Sequence, residues 1–300
     1  MSKPGRANRF RRQSDFIPKP GRPSILLAAA NVRPSKSRGQ NFLVQPKIAD
    51  RIVACAGLEA ADEVIEIGPG LGILSERIAL SAARKFTMVE YDRGLATSLE
   101  SRFGSARIVC ADVLDVDLAQ LAEHPPIKII GNLPFNAAAA ILHRLCAFQP
   151  IISRMVLMFQ REVAERIRAG TEQSGRSALS VFTALYWHID DHFRVLAGSF
   201  HPRPKVDAEV LVMSPRDRTF SGAQESAILA TVRAAFSAPR KAIRNGLTDR
   251  LGVRSAEVIA ALTEVGIDSS ARPATVETDD FIRLTTALVA RCPAAYAAIR

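Results

Sequence analysis

The residues best suited to chemistry in this 300-residue chain lie in the stretch Ile129-Ile130-Gly131-Asn132-Leu133-Pro134-Phe135-Asn136. An exocyclic amine on a nucleobase is a poor nucleophile, because its lone pair is delocalised into the ring. Two acceptors aimed at its hydrogens would localise that pair. The Asn132 side-chain carbonyl and the Leu133 main-chain carbonyl supply two. Phe135 offers a face for stacking, as enzymes that act on extruded bases require. Pro134 forces Leu133 into an extended conformation, and Gly131 ends the apolar run Ile127–Ile130, which reads as a buried strand. The amide and the ring are therefore presented where a parallel strand stops, the edge at which open α/β sheets bind ligands. Taken alone, the same residues also fit an ordinary strand-to-helix turn.

The elements upstream supply the partner site. Val64–Ile67 reads as a buried strand, followed by Gly68-Pro69-Gly70-Leu71-Gly72 and a helix over Ile73–Ala82. Strand, glycine loop and helix together bring main-chain amides close to a nucleoside or phosphate ligand. The dinucleotide fingerprint needs glycine at position 73, where this chain has Ile. The pattern is instead Glu66-x-Gly68-x-Gly70-x-Gly72, typical of S-adenosylmethionine pockets. A second strand, Phe86–Glu90, ends on a carboxylate about 20 residues past the loop, where ribose hydroxyls are held. Asp92 is better placed to cap the helix that follows. A third strand, Arg107–Cys110, leads to Asp112, suited to an adenine amine. Glu66, Glu90, Asp112 and Asn132 thus recur at the carboxyl edge of successive strands.

The rest of the chain sets the frame. Polar residues give way to Phe42-Leu43 before a helix over Pro46–Ala56, with Pro46 in its first turn. Past the pivot come a helix over Ala137–Phe148, a strand Met155–Phe159, and helices Gln160–Ala169 and Leu179–Ile189. Strands Phe193–Leu196 and Glu209–Met213 close the sheet, separated by the proline loop Phe200–Val206. Beyond a break at Pro215–Gly222 only helices are expected: Ala223–Phe236, Arg240–Leu251, Ala256–Val265 and Thr278–Ala290. The chain therefore divides into a basic arm (1–35), an α/β catalytic domain (36–215) and a helical domain (216–300).

Composition narrows the partners. Net charge is +10, and residues 1–38 hold ten Lys/Arg against the single acid Asp15, leaving 30 basic and 29 acidic residues elsewhere. A basic arm on a balanced body fits a polyanion such as nucleic acid, although targeting peptides share that composition. The arm, rich in Pro, Gly and Arg, is expected to be disordered until bound. Cys55, Cys110, Cys146 and Cys292 match neither a zinc site nor a disulfide framework, so reduced, mostly buried thiols and an intracellular, cytoplasmic setting are expected. No apolar run is long enough for a membrane span.

Taken jointly, these motifs resemble those of the KsgA/RsmA-type ribosomal RNA adenine dimethyltransferases, from about Lys36 to the end. The likeness rests on Gly39-Gln40-Asn41-Phe42-Leu43, Glu66–Gly72, Glu90-x-Asp92, Asp112 and Gly131–Asn136. Gln160–Arg166, Leu179-Ser180-Val181, Phe200-x-Pro202-x-Pro204-Lys205-Val206-Asp207 and Arg240-Lys241-x-x-Arg244-Asn245-x-Leu247 extend it. The resemblance implies a class I S-adenosylmethionine-dependent methyltransferase, with a Rossmann-like, seven-stranded, mostly parallel sheet and a small all-helical C-terminal domain. It implies dimethylation of two adjacent adenines near the 3′ end of small-subunit (16S) rRNA by a monomer without metal. Asn41 and Leu43 would border the cofactor, Gly68 and Gly70 approach its methionine part, Glu90 hold the ribose, Asp112 meet the adenine, and Asn132 face the sulfonium. Leu133, Pro134 and Phe135 would complete the amine site, Phe200 would form a second wall for the base, and Arg240, Lys241 and Arg244 would contact RNA. Phe135 stands where the family usually has Tyr, which keeps stacking and removes a hydroxyl. Ala137–Ala140 replace a more polar segment. A large-subunit (23S) rRNA methyltransferase conferring macrolide resistance and a non-catalytic assembly factor share parts of this pattern.

Overall fold

Apolar runs of four to six residues become strands whose two faces are both covered. The computed structural model describes residues 39–217 and 220–297, together with Ile25, Leu27 and Ala28. In chain order, β1 (Phe42–Leu43) precedes α1 (Pro46–Ala56). Strand β2 (Glu63–Ile67) leads to α2 (Ile73–Ala79), β3 (Lys85–Glu90) to α3 (Arg93–Arg102), and β4 (Arg107–Cys110) to α4 (Leu118–Leu121). Strand β5 (Ile127–Asn132) leads to α5 (Ala138–Cys146), and β6 (Ile152–Gln160) to α6 (Arg161–Arg168) and α7 (Ala178–Tyr186). Strands β7 (Trp187–Val195), β8 (Phe200–His201) and β9 (Ala208–Pro215) follow, then α8 (Gly222–Ala235), α9 (Ile243–Leu251), α10 (Ser255–Glu264), α11 (Thr278–Arg291) and α12 (Pro293–Ala297).

Seven strands form one sheet in the order β4-β3-β2-β5-β6-β9-β7. The first five run parallel, β9 is antiparallel to β6, and β7 is antiparallel to β9. Side-chain alternation divides the core. Ile65, Ile67, Ile127 and Ile129 enter one apolar cluster, while Val64 and Ile130 enter the other with α1. Burial on both faces is why these strands read as unbroken hydrophobic runs. The larger cluster continues from the sheet through Leu185 and Tyr186 of α7 into Ile228, Leu247 and Phe281 of the C-terminal helices. Helices α8 and α9 approach closely at Gly246, where a Cβ would lie 2.5 Å from Ala234 O.

Three expectations need correction. The helix expected to reach Ile189 stops at Tyr186, and Trp187 opens a nine-residue strand. A bulge between Ile189 and Asp191 inserts Asp190 against β9 and breaks the alternation that would mark the strand. Residues Arg240–Ala242 precede α9 instead of opening it. Of the four thiols only Cys146 is buried; Cys110 is exposed and the other two are half-buried. The arm at 1–35 lies outside the described residues except at Ile25, Leu27 and Ala28, and Leu27 is buried against Phe42, Leu71 and Leu95. Among the described residues, no helix is long and apolar enough to cross a membrane.

Candidate active site

Strand order reverses between β2 and β5: β3 and β4 build outward on one side, β5 and β6 on the other. Crevices open at such switch points. Here a cavity of about 340 Å³ lies at the carboxyl ends of the central strands, within the usual range for a small-molecule site.

The glycine loop forms one wall. Gly68 and Gly70 have φ of 66° and 58°, a region that glycine enters without a Cβ penalty. A Cβ on Gly70 would lie 2.9 Å from the Phe42 ring, and one on Gly68 would come within 3.6 Å of Asn132 O and 4.0 Å of Pro134 Cδ. The first glycine turn and the Asn-Leu-Pro stretch are thus direct neighbours. Arg102 holds the loop from behind, donating to Leu71 O at 2.7 Å and to Glu76 Oε1 at 2.8 Å.

Glu90, 6% exposed, ends β3 inside the cavity wall. Its Oε2 accepts Gly70 N–H at 3.0 Å and its Oε1 accepts Asp92 N–H at 2.9 Å. Each carboxylate oxygen keeps further lone-pair capacity for a ligand. Burial raises the Glu90 pKa, and the main-chain donors pull it back. Asp92 caps α3, accepting from Gly94 and Leu95 N–H. Asp112 follows β4, lines the cavity, and accepts Leu114 N–H at 2.9 Å. Glu66 is not among the residues that line the cavity; it is 1% exposed, bonded to the Ser75 hydroxyl at 2.7 Å, with Oε1 buried and unpartnered.

Asn132 ends β5. Its Nδ2 donates to Asn41 O at 3.0 Å. That bond uses the donor end of the carboxamide and leaves Oδ1 as its acceptor, on a residue that lines the cavity. Asn41 Nδ2 in turn donates to Gly39 O at 3.2 Å. Leu43 is fixed by the β1–β8 pair, opposite Phe200. Asn41, Leu43, Gly68, Gly70, Glu90, Asp112, Asn132, Leu133 and Pro134 all line the same cavity.

The remaining expected residues lie outside that lining. Phe135 is half-buried beside it and meets Phe200 edge to face, with ring centroids 6.3 Å apart and planes at 66°. Phe200 is 4% exposed, so its ring buttresses Phe135 here and offers no open stacking face. Arg240 and Lys241 are exposed in the segment before α9, and Arg244 is half-buried with Nη1 3.5 Å from Ser269 Oγ. Sequence reasoning missed Gly39, whose Cβ would press within 3.0 Å of Asn136 Oδ1 and 3.2 Å of Phe135 N. It also missed Val113 and Ile141 of the apolar wall, which carry no motif, while Ala137, noted as replacing a polar residue, lines the cavity. Away from the cavity, Glu63, Glu123 and His124 converge, with Lys85 paired to Glu123 at 2.8 Å.

Known proteins resemble this chain over most of its length. A family model described as "Ribosomal RNA adenine dimethylase" matches residues 31–289. Ribosomal RNA small subunit methyltransferase A of Syntrophotalea carbinolica is 37% identical over 257 residues, covering 85% of this chain and 96% of that protein. The protein of the same name from Moorella thermoacetica is 34% identical over 287 residues, covering 91% and 99%. Among solved structures, a dimethyladenosine transferase from Plasmodium falciparum shares the fold at a TM-score of 0.69 and 21% identity, covering 83% of this chain and 98% of that one. The 23S rRNA methyltransferase ErmE matches at a TM-score of 0.62 and 28% identity, covering 83% and 99%.

Proposed function

The chain belongs to the ribosomal RNA adenine dimethylase family, and we infer that it uses S-adenosylmethionine to dimethylate two adjacent adenines near the 3′ end of small-subunit (16S) rRNA. The observation that carries this reading is Asn132 in the wall of a nucleoside-sized cavity, its carboxamide held by the Asn41 carbonyl and its main chain beside the first glycine turn. The small-subunit target is favoured over the large-subunit one by relatives named for the small subunit at 34–37% identity, against 28% for ErmE. The reading places the enzyme in the cytoplasm, acting as a monomer on the assembling subunit.

The residues present fit the cofactor. Glu90 is a buried carboxylate with unused acceptor capacity, suited to a ribose diol. The glycine loop leaves no room for side chains where the cofactor's main-chain contacts would fall. Asp112 is placed for an adenine amine, with Val113 and Ile141 as an apolar wall for the purine. Asn41 and Leu43 close the opposite side. When bound, S-adenosylmethionine supplies a methyl group made electrophilic by its sulfonium.

The chain's own part is positioning. Asn132 Oδ1 and Leu133 O accept the two amine hydrogens and localise the lone pair on nitrogen. Phe135, held edge-on by Phe200, stacks on the extruded base. Holding the amine in line accounts for much of the rate. The methylated nitrogen is acidic and sheds its proton to solvent, so no strong base is needed. None of His124, His143, His188, His192 or His201 lines the cavity.

The test is Asn132→Ala, assayed with labelled cofactor and unmethylated small subunits. Turnover falls about 100-fold, the scale of removing one positioned polar contact, while cofactor affinity is retained. Unchanged turnover would remove Asn132 from the mechanism.

A further inference from the structure

A second cavity, of about 310 Å³, lies at the far end of the sheet. Strand β6 starts at the amino edge, and β9 runs antiparallel to it, so Pro215 returns to that edge. Strand β7 begins there, with Trp187 opposite Pro215. The cavity is walled by Trp187 and Arg216 at this edge, by α7, and by the start of α11. It is therefore separate from the methyl-transfer cavity, which opens at the carboxyl edge.

Its lining is cationic and underused. Arg176 is 7% exposed, yet forms no ion pair among the described residues. Its Nε is buried without a partner, and its Nη2 reaches the Thr278 hydroxyl at 3.3 Å. Burial lowers the Arg176 pKa and the Glu277 charge raises it only in part, with no contact ion pair between them. Arg216 Nε is likewise buried and unpartnered, and its main chain is pinned on both sides. Its N–H donates to Tyr186 O at 2.8 Å, and its carbonyl accepts Gln149 Nε2 at 2.7 Å. The Thr183 hydroxyl, also in the wall, is buried without a partner. Helix α11 starts at Thr278 without a side-chain cap. The opposing charges are Glu277, which accepts the Thr171 hydroxyl at 2.9 Å, and, in the first turn of α11, Asp279 and Asp280. Arg168 is already held by Glu209 at 2.9 Å, and His188 completes the titratable lining.

We propose that this cavity binds a phosphate group, taken by the guanidiniums of Arg176 and Arg216 at the open start of α11. Planar guanidinium forks match phosphate oxygens, and a bound phosphate supplies the negative charge that Glu277 alone leaves short of two guanidiniums. An RNA backbone phosphodiester and free inorganic phosphate both present at least two non-bridging oxygens to such a fork. The RNA source rests on the function inferred above; the phosphate site itself does not.

The test is calorimetric titration of the full-length protein with inorganic phosphate at fixed ionic strength, beside small-subunit binding. Arg216→Ala, at a half-buried position, weakens phosphate binding at least about 10-fold, the scale of one charge-assisted contact. Arg176→Lys, which keeps the charge but loses the fork, weakens it too. If Arg216→Ala also weakens subunit binding and lowers its salt slope by about one, the natural phosphate belongs to RNA. If subunit binding is unchanged, a small phosphate compound is the ligand. Absence of saturable phosphate binding by the wild-type protein, or equal binding by both folded variants, overturns the proposal. Phosphate titration needs no methyl transfer, so its outcome is independent of the assigned activity.

Discussion

Glu66 and Glu90 are the same residue type on adjacent parallel strands, and their surroundings give them different work. Glu90 is held by two main-chain N–H groups and faces the cavity. Glu90→Ala is therefore expected to weaken cofactor binding about 10-fold to 100-fold, the scale of losing charged hydrogen bonds. Calorimetry with the cofactor checks it, and an unaltered affinity rejects Glu90 as the ribose ligand. Glu66 has a single hydroxyl donor. Burial raises its pKa to about 8, the Ser75 hydroxyl bond lowers it in part, and the Glu90 charge adds to the rise. At neutral pH its carboxyl is protonated in the folded chain, whereas an unfolded glutamate titrates at about 4.3. Between those values the folded state holds a proton that the unfolded state has released. This group's contribution is complete below the unfolded value and is lost as pH rises through about 8. Across that window the loss is on the order of a few kcal/mol. Glu66→Gln removes the titration, so its urea midpoint declines less between pH 5 and pH 8.5 than that of the parent. Parallel profiles for the two proteins would show that Glu66 is ionised in the fold.

The turn after β5 works because its strand approaches β2 closely. A Cβ on Gly131 would lie 2.8 Å from Ile67 O and 3.1 Å from Leu133 Cδ2. The first of these atoms is backbone at the last pair of the β2–β5 parallel ladder and cannot swing aside as a side chain would. Gly131→Ala is expected to cost about 1–3 kcal/mol, as overpacking usually does, and to displace Asn132. A thermal midpoint equal to the parent's would mean that the ladder absorbs the methyl group. This element was legible in the sequence, and so was the glycine loop, because strand ends in a parallel sheet announce themselves by an apolar run, a glycine and a polar residue. The carboxyl-edge series Glu90, Asp112 and Asn132 lines one cavity for that reason. Only the end of strand β7 was legible, as Phe193–Leu196. Its first residues continue the apolar tail of α7, and the bulge at Asp190 erases the two-residue period. Val113 and Ile141 were hidden for a different cause. An apolar wall is a product of packing and carries no sequence mark. Gly39 lay in plain view within a quoted motif, but its need for a missing side chain arises from contact with Phe135 and Asn136, nearly 100 positions away.

At the scale of the molecule, the sheet and the C-terminal helices share one apolar cluster, so residues after 220 are carried on the same body that holds the cavity. Arg240 and Lys241 are exposed on that body, outside the cavity lining, and make no ion pair among the described residues. Their position, with the near-neutral charge of the chain beyond residue 38, makes them candidates for phosphate contact at a distance from the reacting amine. Such contacts position a nucleic acid and release counterions, so they change affinity and its salt dependence. The double variant Arg240→Ala/Lys241→Ala is expected to bind unmethylated small subunits more weakly, with the salt slope reduced by roughly two. Because neither residue reaches the cavity, cofactor affinity stays at the parent level. Methyl transfer is lost through KM, and it recovers at saturating subunit concentration, which separates these two cations from Asn132, whose loss no concentration of substrate repairs. A fall in kcat with unchanged KM would instead mean that the segment before α9 acts on the reacting base through the shared core.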